Sequence, residues 1–274
     1  MTNYIADSSK TRWMASNPKR LVRTGMGGKP FRCPFDEGNE ADTPPEVYRI
    51  GGGEKDKPGW QIRVFPNLFP ITDIHEVIVH SPDHEKNIED FSSEQVENII
   101  KTYINRFNVL KNKGKVFIFQ NYSLTSGASL IHPHSQVSVV PNEIPTNTIT
   151  AQTIANIVEQ NDSFVSYCPP YSEWAYEIWI KALGQSKFEF LNGKEIIDFA
   201  TILKNMTNKL KKLHAANAHY SKKPFGYNFY LNLYDSWYLR IIPRFMERAG
   251  FEFSTDIMVN SVEGPKAADD LKKI

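Results

Sequence analysis

The residues of this chain whose types and spacing could do chemistry are two histidines separated by one proline. They stand in the segment His-Pro-His-Ser-Gln at residues 132–136. In an extended strand, residues i and i+2 point to the same face, and proline biases the residue before it toward an extended conformation. We therefore predict that His132, His134 and Gln136 face the same way. Neutral imidazole can attack an electrophile or bind a metal ion.

Phosphorus is an electrophile that suits this arrangement. A nucleophilic histidine divides a difficult displacement into two easier steps through an N-phosphoryl intermediate. A neighbouring amide or hydroxyl can then bind the charge that develops on a phosphoryl oxygen, and Gln136 and Ser129 are the candidates for this role. The alternative is that two surface histidines happen to flank a proline. Asn121 and Gly127 upstream, together with Ser129 and Gln136, favour the catalytic interpretation.

Residues 127–136, Gly-Ala-Ser-Leu-Ile-His-Pro-His-Ser-Gln, resemble the active-site signature of the galactose-1-phosphate uridylyltransferase family, a branch of the histidine-triad superfamily. The proline between the histidines favours this branch over the hydrolase branch. The resemblance extends over about residues 10 to 260 and is densest before residue 145. Further matching segments follow in the same order, at residues 13–20, 32–40, 63–70, 75–79, 81–84 and 249–252.

The resemblance implies that His134 is the nucleophile, that it forms a nucleotidyl-histidine and that the kinetics are ping-pong. Gln136 and Ser129 would hold the phosphoryl oxygens. The implied substrate-binding residues are Arg20 and Asn121 at phosphate, Asn67 and Phe69 at the nucleoside, and Glu252 at the hexose. Two of these, Asn67 and Phe69, could instead be a strand-end turn and a core aromatic residue. The glutamine that galactose-specific members carry shortly after the glutamate is not found here, and Met258 lies near its place.

A metal site is the second group of residues with chemical potential. Cys33, His84 and His132 offer a thiolate and two imidazoles, which suit zinc. The resemblance places Asp36 where zinc-containing members have a second cysteine, so the predicted ligand set is Cys33, Asp36, His84 and His132. The alternative is that Cys33 is a small buried hydrophobic residue and that Asp36 caps a turn.

Composition limits the classes of partner. The 274 residues carry a net charge of +1, which gives no basic field for nucleic acid. We expect no membrane span, because no apolar run approaches about 18 residues, and no signal peptide at the N-terminus. Cys33 and Cys168 are the only cysteines, and a reducing cytoplasm is the simplest setting.

We predict an α+β fold with two histidine-triad-like half-domains, each an antiparallel sheet with helices. The first, residues 1–150, is catalytic and begins with an irregular arm over residues 1–30. The second, residues 151–274, is degenerate, because Tyr-Leu-Arg-Ile-Ile-Pro stands where histidines would be needed. The apolar periodicity predicts helices at 92–112, capped by Ser92 or Ser93, and at 196–216, with a shorter one at 146–160. A hairpin is expected around Asp235.

The activity that the resemblance implies is transfer of a nucleoside monophosphate, with UMP favoured, between a nucleotide sugar and a hexose 1-phosphate. The alternatives are an adenylyltransferase or phosphorylase acting on ADP-glucose or a related adenine nucleotide, a hydrolase of nucleotide phosphoanhydrides, and a nucleotide-binding protein without turnover. The implied partners are a nucleotide sugar and a sugar phosphate, without nucleic acid or membrane, and the resemblance implies a homodimer.

Overall fold

One large antiparallel sheet dominates the computed structural model, which describes residues 1–20, 32–146, 149–234 and 236–274. A two-stranded hairpin lies outside that sheet. The strands are β1 Asn3–Ala6, β2 Trp13–Ser16, β3 Tyr48–Gly51, β4 Trp60–Pro66, β5 Ile74–Val79, β6 Lys115–Tyr122, β7 His134–Val140, β8 Ile157–Gln160, β9 Phe164–Tyr167, β10 Ile178–Ala182, β11 Tyr227–Asn232 and β12 Tyr238–Pro243. The helices are α1 Ser93–Leu110, α2 Gly193–Ala216, α3 Gly250–Thr255 and α4 Gly264–Lys272.

The order of the strands shows a repeated plan. The ten-stranded sheet runs β3-β4-β5-β7-β6-β11-β12-β10-β9-β8. In each half, three strands are followed by a long helix and two more strands, and the last strand inserts beside the third. The fold is therefore α+β with two histidine-triad-like half-domains, and the pairing of β6 with β11 joins them into one sheet. The boundary between residues 150 and 151 stays a prediction.

The two faces of the first half of the sheet differ in what they contact. Val137 and Val139 of β7 are buried in the main apolar core together with residues of α1. Because side chains alternate along a strand, His134 and Gln136 point to the opposite face. Ser135 confirms this alternation, since its hydroxyl lies 2.7 Å from the hydroxyl of Tyr103 in α1. One face thus carries the helix and the other presents the polar side chains.

Both long helices begin at residues that satisfy their first backbone N–H groups. Ser92 caps α1, with its hydroxyl accepting from the Gln95 N–H at 3.1 Å. Asn192 and Glu195 form a capping box at α2. The helices predicted at 92–112 and 196–216 are confirmed as α1 and α2. Their apolar residues form the faces that are buried against the sheet.

Two local predictions were wrong. The arm was expected to be irregular, but β1 and β2 form a hairpin with Asn3 opposite Ser16. The helix expected at 146–160 is absent over residues 149–160, where Ile157–Gln160 forms edge strand β8 beside β9. Asn156 has a left-handed φ of 55°, which breaks a helix, and its amide donates to the Cys168 carbonyl at 2.9 Å. Residues 21–30 of the arm, and the turn predicted at Asp235, lie outside the described residues.

Strand β3 and helices α3 and α4 were not predicted. Their sequences are short and lack a sustained apolar period, so tertiary contacts decide their conformation. Within the described parts of the chain, no helix has both the length and the apolar character that crossing a membrane requires.

Candidate active site

A cavity of about 700 Å³ opens on the face of the sheet opposite α1. Its wall brings together residues from five separate stretches of the first half. Seven of the residues predicted to bind or transform a substrate line it: Arg20, Asn67, Phe69, Asn121, Ser129, His134 and Gln136. The volume lies within the range of about 300–1,000 Å³ that small-molecule sites occupy.

His134 stands at the first position of β7 and is held in one orientation. Its Nδ1 lies 2.8 Å from the carbonyl oxygen of His132. A carbonyl can only accept, so Nδ1 carries the hydrogen, and in the neutral ring the lone pair is on Nε2. The ring of Phe35 packs edge-on at 5.3 Å between centroids and limits rotation. This is the tautomer that a histidine needs to attack through Nε2.

His132 has a different environment from His134. The prediction that His132 shares the face of His134 and Gln136 was wrong, because strand β7 begins only at His134; His134 and Gln136 both line the cavity. His132 is fully buried, and its Nε2 donates to the Ser81 carbonyl at 2.7 Å. Its Nδ1 lies 3.0 Å from Oδ1 of Asp36. His132 therefore belongs to a neighbouring cluster.

That cluster contains the four predicted metal ligands. One donor atom from each of Cys33, Asp36, His84 and His132 lies within 4.8 Å of the others. Ligands at about 2.0–2.3 Å from a tetrahedral zinc ion are separated by about 3.3–3.8 Å, so small rotations suffice to close the set. Nδ1 of His84 lies 2.6 Å from the same Asp36 oxygen.

The hydrogen-bond pattern of the cluster fits a cation. Because Nε2 of His132 donates to Ser81, the neutral ring turns a lone pair toward the Asp36 carboxylate. Two acceptors in contact need a proton or a metal ion between them. A bond from the distal ring nitrogen to a backbone carbonyl is also the usual support of a histidine ligand. Burial raises the pKa of the Cys33 thiol to about 11, and a bound metal would reverse this by stabilising the thiolate.

The outer part of the cavity combines apolar walls with polar rims. The Phe69 N–H donates to Oδ1 of Asn67 at 2.8 Å, which fixes the turn after β4. Arg20 donates from Nη1 to the Phe69 carbonyl at 3.1 Å and so reaches the same turn. The apolar lining includes Phe35, Phe65, Leu68, Val77 and Leu130.

Sequence reasoning missed several of these lining residues. Phe65 and Val77 face the cavity because they alternate with core residues along β4 and β5, a signal that is readable only once the register is known. Arg32 and Thr43 also line it, from segments without regular structure.

The structure does not bring Glu252 to this cavity, whose described lining residues do not include it. Glu252 occupies the third position of α3, and its carboxylate accepts from the Ala249 N–H at 3.1 Å. It borders a separate small hollow beside Trp174 and Met258. A glutamate at this helical position satisfies a backbone donor, which gives it a structural role within one chain.

The corresponding place in the second half is closed by a buried ion pair. Strand β12 takes the position there that β7 takes in the first half. Its Arg240 donates to both carboxylate oxygens of Glu177, at 2.7 and 2.8 Å, and both side chains are buried. Charge-assisted bidentate pairing of this kind fixes both side chains, and neither is a histidine that could act as a nucleophile.

Comparison with known proteins places this geometry in context. Residues 72–140 match the family model described as galactose-1-phosphate uridyl transferase, N-terminal domain. The chain is 23% identical to an ADP-glucose phosphorylase from Arabidopsis thaliana, over 98% of this chain and 92% of that one. It is 26% identical to a galactose-1-phosphate uridylyltransferase from Kluyveromyces lactis, over 53% of this chain and 48% of the relative.

A solved structure supports the fold over the whole length. The crystal structure of an ADP-glucose phosphorylase from Arabidopsis thaliana with bound ADP-glucose superposes with a TM-score of 0.76 at 23% identity, covering 100% of this chain and 99% of that one. The fold and the match over residues 72–140 together indicate a nucleotidyltransferase. The chain is thus similar to members of the galactose-1-phosphate uridylyltransferase family, and residues 72–140 match the N-terminal domain of that family.

Proposed function

We propose that this protein transfers a nucleoside monophosphate from a nucleotide sugar to an acceptor phosphate through a covalent bond to His134. The observation that carries the proposal is the orientation of His134. The backbone carbonyl of His132, two residues earlier, accepts a hydrogen bond from Nδ1–H of His134. The lone pair of the neutral ring is therefore on Nε2, the atom that would attack phosphorus. A pure binding site would need no such nucleophile.

The first step is displacement at the α-phosphorus. Nε2 of His134 forms a bond to phosphorus while the bond to the bridging oxygen breaks, and the sugar 1-phosphate leaves with the electron pair. The ring now carries a positive charge, which the bond from Nδ1–H to the His132 carbonyl stabilises. In the second step an acceptor phosphate oxygen attacks the same phosphorus, and the electron pair returns to Nε2.

The remaining lining residues would bind and orient the phosphates. Arg20 supplies a cation, and Ser129, Asn121 and Gln136 supply donors around the reacting phosphorus. The apolar wall formed by Phe35, Phe65 and Val77 would take the nucleoside.

Two kinds of nucleotide sugar are candidates for the substrate that supplies the nucleotide. Adenylyl transfer from an ADP-sugar to phosphate is our first candidate, because the ADP-glucose phosphorylase relative matches both halves of the chain. Uridylyl transfer between a UDP-sugar and a hexose 1-phosphate, the activity favoured by the sequence motif, is second. The uridylyltransferase from Kluyveromyces lactis matches only about half of this chain.

We also propose zinc as the metal held by Cys33, Asp36, His84 and His132. Zinc would cross-link the segments that carry these residues and would support His132, whose carbonyl holds His134. Its role is then structural, outside the transfer steps. The homodimer and the cytoplasmic setting stay predictions.

The test is intact-mass spectrometry after incubation of the protein with ADP-glucose, UDP-glucose or UDP-galactose in separate samples. We expect an AMP-sized adduct that is absent in His134→Ala and retained in the control His219→Ala, whose side chain is exposed. A UMP-sized adduct would select the second candidate. Tight binding of a nucleotide sugar with no adduct from any donor would overturn the proposal in favour of a binding protein.

A further inference from the structure

Two primary amides, Gln136 of β7 and Asn121 of β6, line the cavity beside His134. A primary amide has a donor end and an acceptor end of nearly the same shape. Only the NH₂ end can stabilise negative charge on a phosphoryl oxygen, so the neighbours that fix each amide's orientation matter for any anion bound there. The neighbours of the two amides are His75 and Asn228. Neither is among the described residues that line the cavity.

His75 of β5 determines the orientation of Gln136. The Ile71 N–H, which can only donate, points at Nδ1 of His75 from 2.9 Å. Nδ1 must therefore accept, and the neutral ring carries its hydrogen on Nε2. That Nε2 lies 3.0 Å from Oε1 of Gln136. With its oxygen bonded to His75, Gln136 directs its NH₂ group away from β5.

Asn228 of β11 determines the orientation of Asn121 by the same kind of argument. The Ser126 carbonyl, which can only accept, lies 2.9 Å from Nδ2 of Asn228. The same Nδ2 lies 2.7 Å from Asn121, whose near atom must therefore be the oxygen Oδ1. Asn228 and Asn121 are direct partners across the central strand pair. The NH₂ group of Asn121 is thus also turned away from its neighbour.

We propose that His75 and Asn228 are positioning residues, which hold the oxygens of Gln136 and Asn121 so that both NH₂ groups face the phosphate in the cavity. In each case a backbone group that can only donate or only accept fixes the orientation of the positioning side chain. That side chain then fixes the orientation of the amide in the cavity. The role assigned to these two residues in transfer rests on the proposed function, whereas the orientation of the side chains does not.

The proposal gives the second half of the chain a part in the site. Asn228 belongs to β11, and it reaches the cavity only through Asn121 on the first half's β6. It also holds the Ser126 carbonyl in the turn that precedes Ser129. His75 is buried, and the Phe119 ring stacks on it at 6.4 Å between centroids, so its ring has little freedom to turn.

The orientation is tested without turnover by long-range ¹H–¹⁵N NMR on protein labelled with ¹⁵N at its seven histidines. Loss of one signal in His75→Phe assigns His75, and loss of another in His134→Ala assigns His134. We expect opposite tautomers, with the hydrogen on Nε2 in His75 and on Nδ1 in His134. A hydrogen on Nδ1 of His75 would overturn the assignment of Gln136.

The consequence for an anion is tested by AMP and UMP affinity and by the rate of adduct formation. We expect His75→Phe and Asn228→Leu each to slow adduct formation by about 10- to 100-fold, the scale for misplacing one donor at a developing charge. His75→Gln keeps a terminal NH₂ donor and should recover part of the rate. The matched control is Asn232→Leu, four residues further along β11, whose side-chain oxygen accepts from the nearby Tyr234 N–H at 3.3 Å.

Double variants separate positioning from general loss of structure. If His75 acts through Gln136, His75→Phe should have little effect in a Gln136→Ala background, and most of the effect of Asn228→Leu should vanish in Asn121→Ala. Equal effects in both backgrounds, or equal behaviour of Asn228→Leu and Asn232→Leu in rate and nucleotide affinity, would overturn the proposal. A wild-type protein that forms no adduct would refute the proposed function, and the NMR and affinity results would still decide the orientation.

Discussion

Glu89 allows a quantitative prediction of how stability depends on pH. Its carboxylate is fully buried at the junction of the two halves. Oε2 accepts from the Tyr227 hydroxyl at 3.3 Å, and the Lys211 ammonium lies 3.9 Å from Oε1. Burial is the main cause that raises the pKa of Glu89 from 4.5 to about 7.

The direction of the pH effect follows from that pKa. Between pH 4.5 and 7 the folded protein holds the Glu89 proton more tightly than the unfolded chain does. The free energy of unfolding contributed by this group therefore falls as pH rises through that window. Each unit of pKa difference corresponds to about 1.4 kcal/mol, so the ionised carboxylate costs about 3 kcal/mol at pH 8.

Replacing Glu89 by Gln keeps the shape and removes the charge. We expect Glu89→Gln to have nearly wild-type stability at pH 4.5 and to be more stable than wild type at pH 8 by up to about 3 kcal/mol. Urea unfolding between pH 4.5 and 8 measures the difference, with Glu54→Gln in an exposed loop as the control. A Glu89→Gln variant that becomes less stable than wild type as pH rises would refute the reasoning, because the pair with Lys211 would then stabilise the ionised form.

Three further predictions concern the metal site, a helix cap and the buried ion pair. Asp36→Ala should lower the zinc content per chain, measured by plasma mass spectrometry, whereas Asp36→Cys should retain it; equal content in all three proteins would exclude Asp36 as a ligand. Ser92→Ala removes the acceptor for the Gln95 N–H and should cost about 1 kcal/mol in urea unfolding, and an unchanged midpoint would contradict its role as a cap. Arg240→Met removes the cationic partner of the buried Glu177 carboxylate and should cost about 3–5 kcal/mol. Adding Glu177→Gln to that variant removes the buried charge and keeps an oxygen that can accept from the Trp179 indole N–H, so it should recover part of the loss. A double variant as unstable as the single one would argue that packing sets the cost.

Patterns of a few adjacent residues were sufficient to predict the centre of the site. Alternation along a strand predicts that His132, His134 and Gln136 share a face; His134 and Gln136 line the cavity, whereas His132, which precedes β7, does not. The apolar period of α1 and α2 predicts both helices, because each must bury one side against the sheet. In these cases the physical cause lies within a single element.

Features that depend on contacts between distant segments could not be predicted in this way. The strand at Ile157–Gln160 exists because β9 is available for pairing, and nothing in its four residues requires an edge strand. The roles of His75 and Asn228 depend on backbone groups of Ile71 and Ser126 that only the folded chain brings near. Glu252 matched a motif, yet the start of α3 uses its carboxylate.

The pairing of β6 with β11 has a consequence for how the chain can be divided. A separate first half would expose the outer backbone groups of β6, and a separate second half would expose those of β11. Long unpaired edges of this kind are templates for aggregation. In the joined sheet both edges are covered, and the two remaining edge strands, β3 and β8, have only four residues each. The halves therefore protect each other from self-association, so the second half has reason to be retained independently of any substrate.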